Sequence, residues 1–171
     1  METINEIQDE IIEEFSAFDD WMDKYQLLID LGQEQEPLDE QYKTEQNLID
    51  GCQSRVWLQA DYEKMNKATD RRDSGRFVED PLTAEGGNDG ENEGSGVIIF
   101  RAESDALIVK GIVALLIRVL SGHTPQEILN ADLYFIDRIG LKEHLSPTRS
   151  NGLLAMVKQM RMYALAYLKQ N

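Results

Sequence analysis

The chain has very little of what most functional sites are built from. Among 171 residues there is one cysteine and there are two histidines. A single cysteine forms no internal disulfide, so a secreted, disulfide-stapled domain is excluded and a reducing compartment is expected. Zinc needs about four converging ligands and an iron–sulfur cluster needs several cysteines, so no resident metal or cofactor is expected on this inventory. Basic charge is also scarce: 17 Lys and Arg stand against 32 Asp and Glu, a formal net charge of -15. Such a surface repels phosphate backbones and anionic lipid, which argues against nucleic acid or a membrane as partner. Long apolar runs are missing as well. The longest, Ile112 to Ile117, is a core segment, far short of the roughly 18 residues of a membrane span. The opening METINEIQDEII carries no basic stretch followed by an apolar one, so the expected location is cytoplasmic.

What is present reads as one domain over residues 1–171, long enough to bury a substantial core. Thr3 and Glu6 are spaced as a capping box ahead of Ile4, Ile7, Ile11 and Phe15, an amphipathic helix. A second helix starts after Asp19 and Asp20, carries Trp21, Tyr25 and Leu28 on one face, and is expected to end where Gly32 turns left-handed. Residues 33–47 read as loop. Ser54 to Tyr62 and Val97 to Ala102 alternate as strands and would form a hairpin. Between them, residues 61–96 read as a flexible insert: from Glu79 the run EDPLTAEGGNDGENEGSG holds six acids, five glycines and no Lys or Arg. Its glycines lead into a strand and lack a lysine, so it is no phosphate loop.

Ser104 and Asp105 are placed to open a largely apolar helix, DALIVKGIVALLIRVL, which Gly122 closes. Thr124, Pro125 and Glu127 repeat the capping-box pattern for a short helix to Leu129, and another short helix spans about Leu133 to Ile139. Pro147 leads into a long helix with Leu153, Met156, Val157, Met160, Ala164 and Tyr167 on one face. The fold class is therefore α+β, a small antiparallel sheet packed against several helices.

Chemistry concentrates on Cys52, in LIDGCQSRVWLQ. Gly51, Gln53 and Ser54 are turn residues that would keep the sulfur accessible, and Arg55 brings a positive charge, the setting of a thiol that reacts. His123, after a helix-ending glycine, reads as a surface or capping residue. His144 stands near Arg149 in a polar segment and is the better histidine candidate, although a Cys–His hydrolase would also need proof that the two side chains meet.

Three stretches together resemble a known family. NLIDGCQSRVWL is similar to the segment around the sulfur-accepting cysteine of SufE-type proteins, and ESDALIVKGIVALL and LSPTRSNGLLAMVKQMR resemble that family's other two signatures in the same order. WMDKYQLLIDLGQ resembles its early helix. The resemblance implies a fold shared with IscU-type scaffolds and a carrier of sulfane sulfur for iron–sulfur cluster assembly. Cys52 would take the outer sulfur of a persulfide on a pyridoxal-phosphate cysteine desulfurase, stimulate that enzyme, and pass the sulfur to a scaffold complex. The chain would be an accessory protein of sulfur transfer rather than a stand-alone enzyme, needing no cofactor of its own. With one cysteine it would carry sulfur and not build a cluster. A cation beside the thiol would favour the thiolate, and Arg149 is the first candidate, Arg55 the second. The alternative is a thiol redox switch or a cysteine-dependent hydrolase on the same fold. A homodimer is left open.

Overall fold

A computed structural model describes residues 2–52, 54–64 and 96–170. Two helices come first, α1 (Ile4–Ser16) and α2 (Trp21–Glu34), then two single 3-10 turns (Glu40–Tyr42 and Glu45–Asn47), then the strands β1 (Val56–Lys64) and β2 (Gly96–Ser104). Five further helices follow: α3 (Leu107–Leu120), α4 (Pro125–Asn130), α5 (Phe135–Arg138), α6 (Leu141–His144) and α7 (Pro147–Gln170). This is the α+β class read from the sequence, with helices on both sides of the two strands in chain order.

Local chemistry accounts for most of the boundaries. Thr3 Oγ1 accepts from the Glu6 amide at 3.0 Å while Glu6 Oε1 accepts from the Thr3 amide at 2.9 Å, closing the capping box of α1. Ile4, Ile7, Ile11 and Phe15 all turn into the core. Thr124 and Glu127 close the same reciprocal pair on α4. Gly122 takes a φ of +85° just past α3, as expected of a closing glycine.

Gly32 does something else. It lies inside α2, which runs on to Glu34, and a Cβ there would sit 2.8 Å from the Gly111 amide nitrogen of α3. The opposing Gly111 is tighter still, since its Cβ would stand 2.2 Å from the Leu28 carbonyl oxygen. The two glycines let the backbones of α2 and α3 touch, so Gly32 is an instrument of packing and not a stop signal. The start of α3 differs too. Its N-cap is Ala106, Ser104 Oγ accepts from the Ala106 amide, and Asp105 lies ahead of the helix.

β1 and β2 pair antiparallel from Val56↔Ser104 to Lys64↔Gly96. Val56, Leu58 and Ala60 face inward beside Ile98, Phe100 and Ala102, and α3 packs over them with Ile112, Val113, Leu115, Leu116, Val119 and Leu120 buried. The strands differ in extent from the alternation: residues 63, 64 and 96, read as insert, and 103 and 104, beyond the expected end of the second strand, belong to the sheet, whereas Ser54 and Arg55 lie ahead of it. The rest of that insert lies outside the described residues. α7 buries Leu153, Met156, Met160 and Ala164 as expected, with Val157 and Tyr167 at the edge.

His123 is buried and not at the surface. Its ring Nε2 meets the Glu2 carbonyl oxygen at 3.0 Å and its own carbonyl accepts from the Ile98 amide, so it ties the entry of α1 to β2. Among the described residues no helix is long and apolar enough to cross a membrane.

Candidate functional site

The stretch that carries Cys52 is tied to the sheet on one side, at Leu48 and Ile49, and to Asp105 on the other, at Arg55. Leu48 bridges Trp57, and the Ile49 amide donates to the Val56 carbonyl at 2.9 Å. At the far end the Arg55 amide donates to Asp105 Oδ1 at 3.1 Å, and the Asp105 amide donates back to the Arg55 carbonyl at 3.3 Å. Gly51 makes the turn with φ +94°, a conformation that L side chains rarely adopt. Cys52 follows it.

The thiol is turned inward. Cys52 is half-buried and packs against the core, and its Sγ–H donates to the Gly152 carbonyl in α7 at 3.6 Å. A Cβ on Gly152 would lie 3.4 Å from Sγ, an ordinary contact that fills space beside the sulfur without forcing it away. Around the sulfur is a cavity of about 10 Å³, lined by Ser54, Val109, Ile112, Thr148, Arg149, Gly152 and Met156. That is near the lower limit for one water molecule.

Of the residues singled out in the sequence, the structure brings Arg149 to this cavity and leaves two elsewhere. Arg149 lines it from the first turn of α7 with an exposed side chain. Arg55 is exposed and touches the loop through its backbone, not its guanidinium. His144 stacks on Trp21 with ring centroids 3.9 Å apart and 16° between planes. Its Nδ1 meets the Gly140 carbonyl at 3.1 Å, and its own carbonyl accepts from the Tyr25 hydroxyl. It therefore pins α6 to α2 and is not among the residues around the sulfur.

The electrostatics differ from the sequence reading in sign. An accessible thiol beside a cation would have a depressed pKa, whereas burial pushes the Cys52 thiol above its ordinary value. Desolvation wins because the neighbours are apolar and the Arg149 charge stays in solvent. Gly152, Met156, Val109 and Ile112 escape notice as site residues in the sequence because their spacing reads as helix core. The one usable signal is Gly152, a glycine inside a helical pattern where no turn calls for it.

Among the described residues no group of three or more His, Cys, Asp or Glu side chains is placed to hold a metal ion. Among the described residues the cavity lining includes no histidine and no carboxylate. The site thus holds, among the described residues, a sheltered thiol with no histidine or carboxylate beside it to act as a general base.

Comparison with known proteins agrees with this architecture. A solved neighbour, the solution structure of a hypothetical protein from Thermus thermophilus, superposes with a TM-score of 0.63 at 19% identity, covering 95% of this chain and 96% of that one. An uncharacterized SufE-like protein of Rhizobium meliloti (strain 1021) is 35% identical over 157 residues, which is 91% of this chain and 93% of the relative. The model of the SufE Fe–S metabolism associated domain matches residues 9–75 and 88–164. With a thiol held between a glycine turn and the first turns of α7, and with that match across most of its length, the chain belongs to the SufE family and its role lies in iron–sulfur metabolism.

Proposed function

We propose that Cys52 accepts sulfane sulfur from a cysteine desulfurase and delivers it for iron–sulfur cluster assembly. The observation that carries this reading is the placement of the chain's one cysteine. It stands on a glycine turn over Gly152, and among the described residues the sulfur is surrounded by neutral groups and one solvated arginine. A thiol so placed suits reversible exchange with another sulfur and little else.

The step is a transpersulfidation. The Cys52 thiolate directs its electron pair at the outer sulfur of the donor's persulfide, a new S–S bond forms, the donor's S–S bond breaks, and its inner sulfur leaves as a thiolate. The proton lost by Cys52 passes to solvent, and the sum of oxidation states is unchanged. In the resting position the thiol is hydrogen-bonded and its pKa is raised by burial. It therefore reacts after the loop carries it out of contact with Gly152, which a docked desulfurase can induce. Once loaded, the persulfide is exposed to the same exchange in reverse with a scaffold complex. A hydrolase on this fold would need a base at the sulfur, which the described lining does not supply, and the chain holds no second cysteine to resolve an oxidised Cys52.

Intact mass after incubation with cysteine and a cysteine desulfurase tests this. The wild type is expected to gain one sulfur atom, and Cys52→Ser none, with an unchanged melting curve. Sulfur retained by Cys52→Ser would end the reading.

A further inference from the structure

Two small cavities share one methionine. The first is the space of about 10 Å³ beside the Cys52 sulfur. The second, also about 10 Å³, is lined among the described residues by apolar side chains alone, Ile49, Val56, Val113 and Met160 among them. Met156, buried in the core, is the residue common to both linings.

Loading changes what the first cavity has to hold. The inner sulfur of a persulfide carries no proton, so the hydrogen bond from Sγ to the Gly152 carbonyl is lost. The ties at Ile49 and Arg55 do not involve the sulfur and hold the Cys52 stretch in place after loading as before. The outer sulfur then stands about 2 Å beyond Sγ, and it is larger than the water molecule that this space barely admits. To stay beside the core it needs a wall that gives way. Val109 and Ile112 are β-branched residues near the start of α3, each held to one preferred χ1 rotamer. Ser54 and Gly152 are too small to yield room, and moving the exposed Thr148 or Arg149 opens the space to solvent. Met156 is unbranched, with three rotatable bonds, and it has the second cavity beside it.

We propose that Met156 is a movable wall, which swings into the second cavity and leaves the outer sulfur of loaded Cys52 lodged in the space it vacates. This rests on the reading of Cys52 as sulfur acceptor and adds how the accepted sulfur is kept until transfer. The thioether exchanges one set of apolar neighbours for another, so the movement costs few contacts. Met156 takes part in no bond change, and its role is to position the sulfur. A small nucleophile in solution then meets a screened persulfide, whereas a docked acceptor that draws the Cys52 stretch outward meets a free one.

Cyanide reads access to the outer sulfur, because it attacks that atom, forms thiocyanate and releases the Cys52 thiolate as leaving group. The experiment loads the protein with cysteine and a desulfurase, removes both, and follows thiocyanate for the wild type, Met156→Leu, Val113→Ile and Val119→Ile. Met156→Leu conserves volume but puts a stiffer, branched side chain in the wall. Val113→Ile adds one carbon to the lining of the second cavity and leaves the first untouched. Val119→Ile is the control, the same carbon added to the same helix at a buried position that lines neither cavity. Release from the wild type is expected to be about tenfold or more slower than from loaded protein unfolded in urea. Met156→Leu and Val113→Ile are each expected to release sulfur about threefold or more faster than the wild type, and Val119→Ile at the wild-type rate. Iodoacetamide alkylation of unloaded Cys52 is expected to be the same in all four, since a bare thiol needs no added room. Wild-type release at the unfolded rate overturns the movable wall while leaving Cys52 as acceptor, and so does wild-type behaviour of either Met156→Leu or Val113→Ile. An equal rise in Val119→Ile overturns it as well, since overpacking of α3 and not the second cavity then loosens the site. No sulfur on the wild type overturns both readings.

Discussion

At Gly152 one methyl group separates two properties that usually move together. A Cβ there would meet Sγ at 3.4 Å, an ordinary contact, and would take up space in a cavity of about 10 Å³. Gly152→Ala is therefore expected to stabilise α7 by up to about 1 kcal/mol, through helix propensity, while slowing alkylation and sulfur loading of Cys52. Urea unfolding and iodoacetamide kinetics read the two effects. If stability falls together with reactivity, the site has no slack and the methyl group clashes. The neighbouring arginine is expected to matter less than its sequence position suggests. Because burial raises the Cys52 pKa and the Arg149 side chain is exposed, Arg149→Ala leaves the pH midpoint of alkylation where it is in the wild type, above that of a free thiol. The same shift fixes a sign for stability. A thiol whose pKa is raised by folding contributes stability below its unfolded value, about 8.5, and loses it as pH rises through the folded value. Cys52→Ser is expected to remove that part of the alkaline loss.

Helices α2 and α3 and the Cys52 loop show which features of an element a sequence discloses. Caps are local, and Thr3, Asp20 and Thr124 all act on amides two or three residues away, as their spacing foretells. Alternation and helical period likewise put Val56, Leu58, Ile11 and Met156 inside. Pair contacts between elements are not local, and there the sequence misleads: Gly32 reads as a stop because nothing in its own neighbourhood reveals Gly111 across the interface. Gly111→Ala would force a Cβ against the Leu28 carbonyl oxygen at 2.2 Å, so α2 and α3 must separate. A loss of about 2–3 kcal/mol in urea unfolding is expected. Asp105 is the same lesson at the site. It reads as a helix-start acid, yet it clasps the Arg55 backbone, and with it one end of the Cys52 loop. Removing its carboxylate by Asp105→Ala is expected to cost about 1 kcal/mol, because the amide it satisfies is near solvent, and to speed alkylation of Cys52 by freeing the loop. Slower alkylation would mean that the clasp presents the thiol and does not restrain it.

For the whole molecule, the question is whether the body built by these elements needs the chain between its strands. The register ends at Lys64↔Gly96, with the two strands in step to their last pair. Such an end can be closed by two residues in a tight hairpin turn, for which Asn-Gly has the required backbone. Among the described residues a single core cluster already forms, its buried members running from Ile4 to Ala60 and from Ile98 to Ala164. Replacing 65–95 by Asn-Gly is therefore expected to keep the fold, and a shorter connection costs up to about 2 kcal/mol less to close. The boundary of the replacement matters. Gly96 is paired, and a Cβ on it would lie 2.6 Å from the Glu63 carbonyl oxygen, so a deletion extended through Gly96 is expected to lower stability where one ending at Ser95 raises it or leaves it alone. Sulfur loading of the shortened protein is expected to match the full chain, because Cys52 and Gly152 are both held by the retained elements. Unfolding curves together with a desulfurase titration check this. A shortened protein that melts as expected but loads sulfur slowly would assign residues 65–95 a part in meeting the donor.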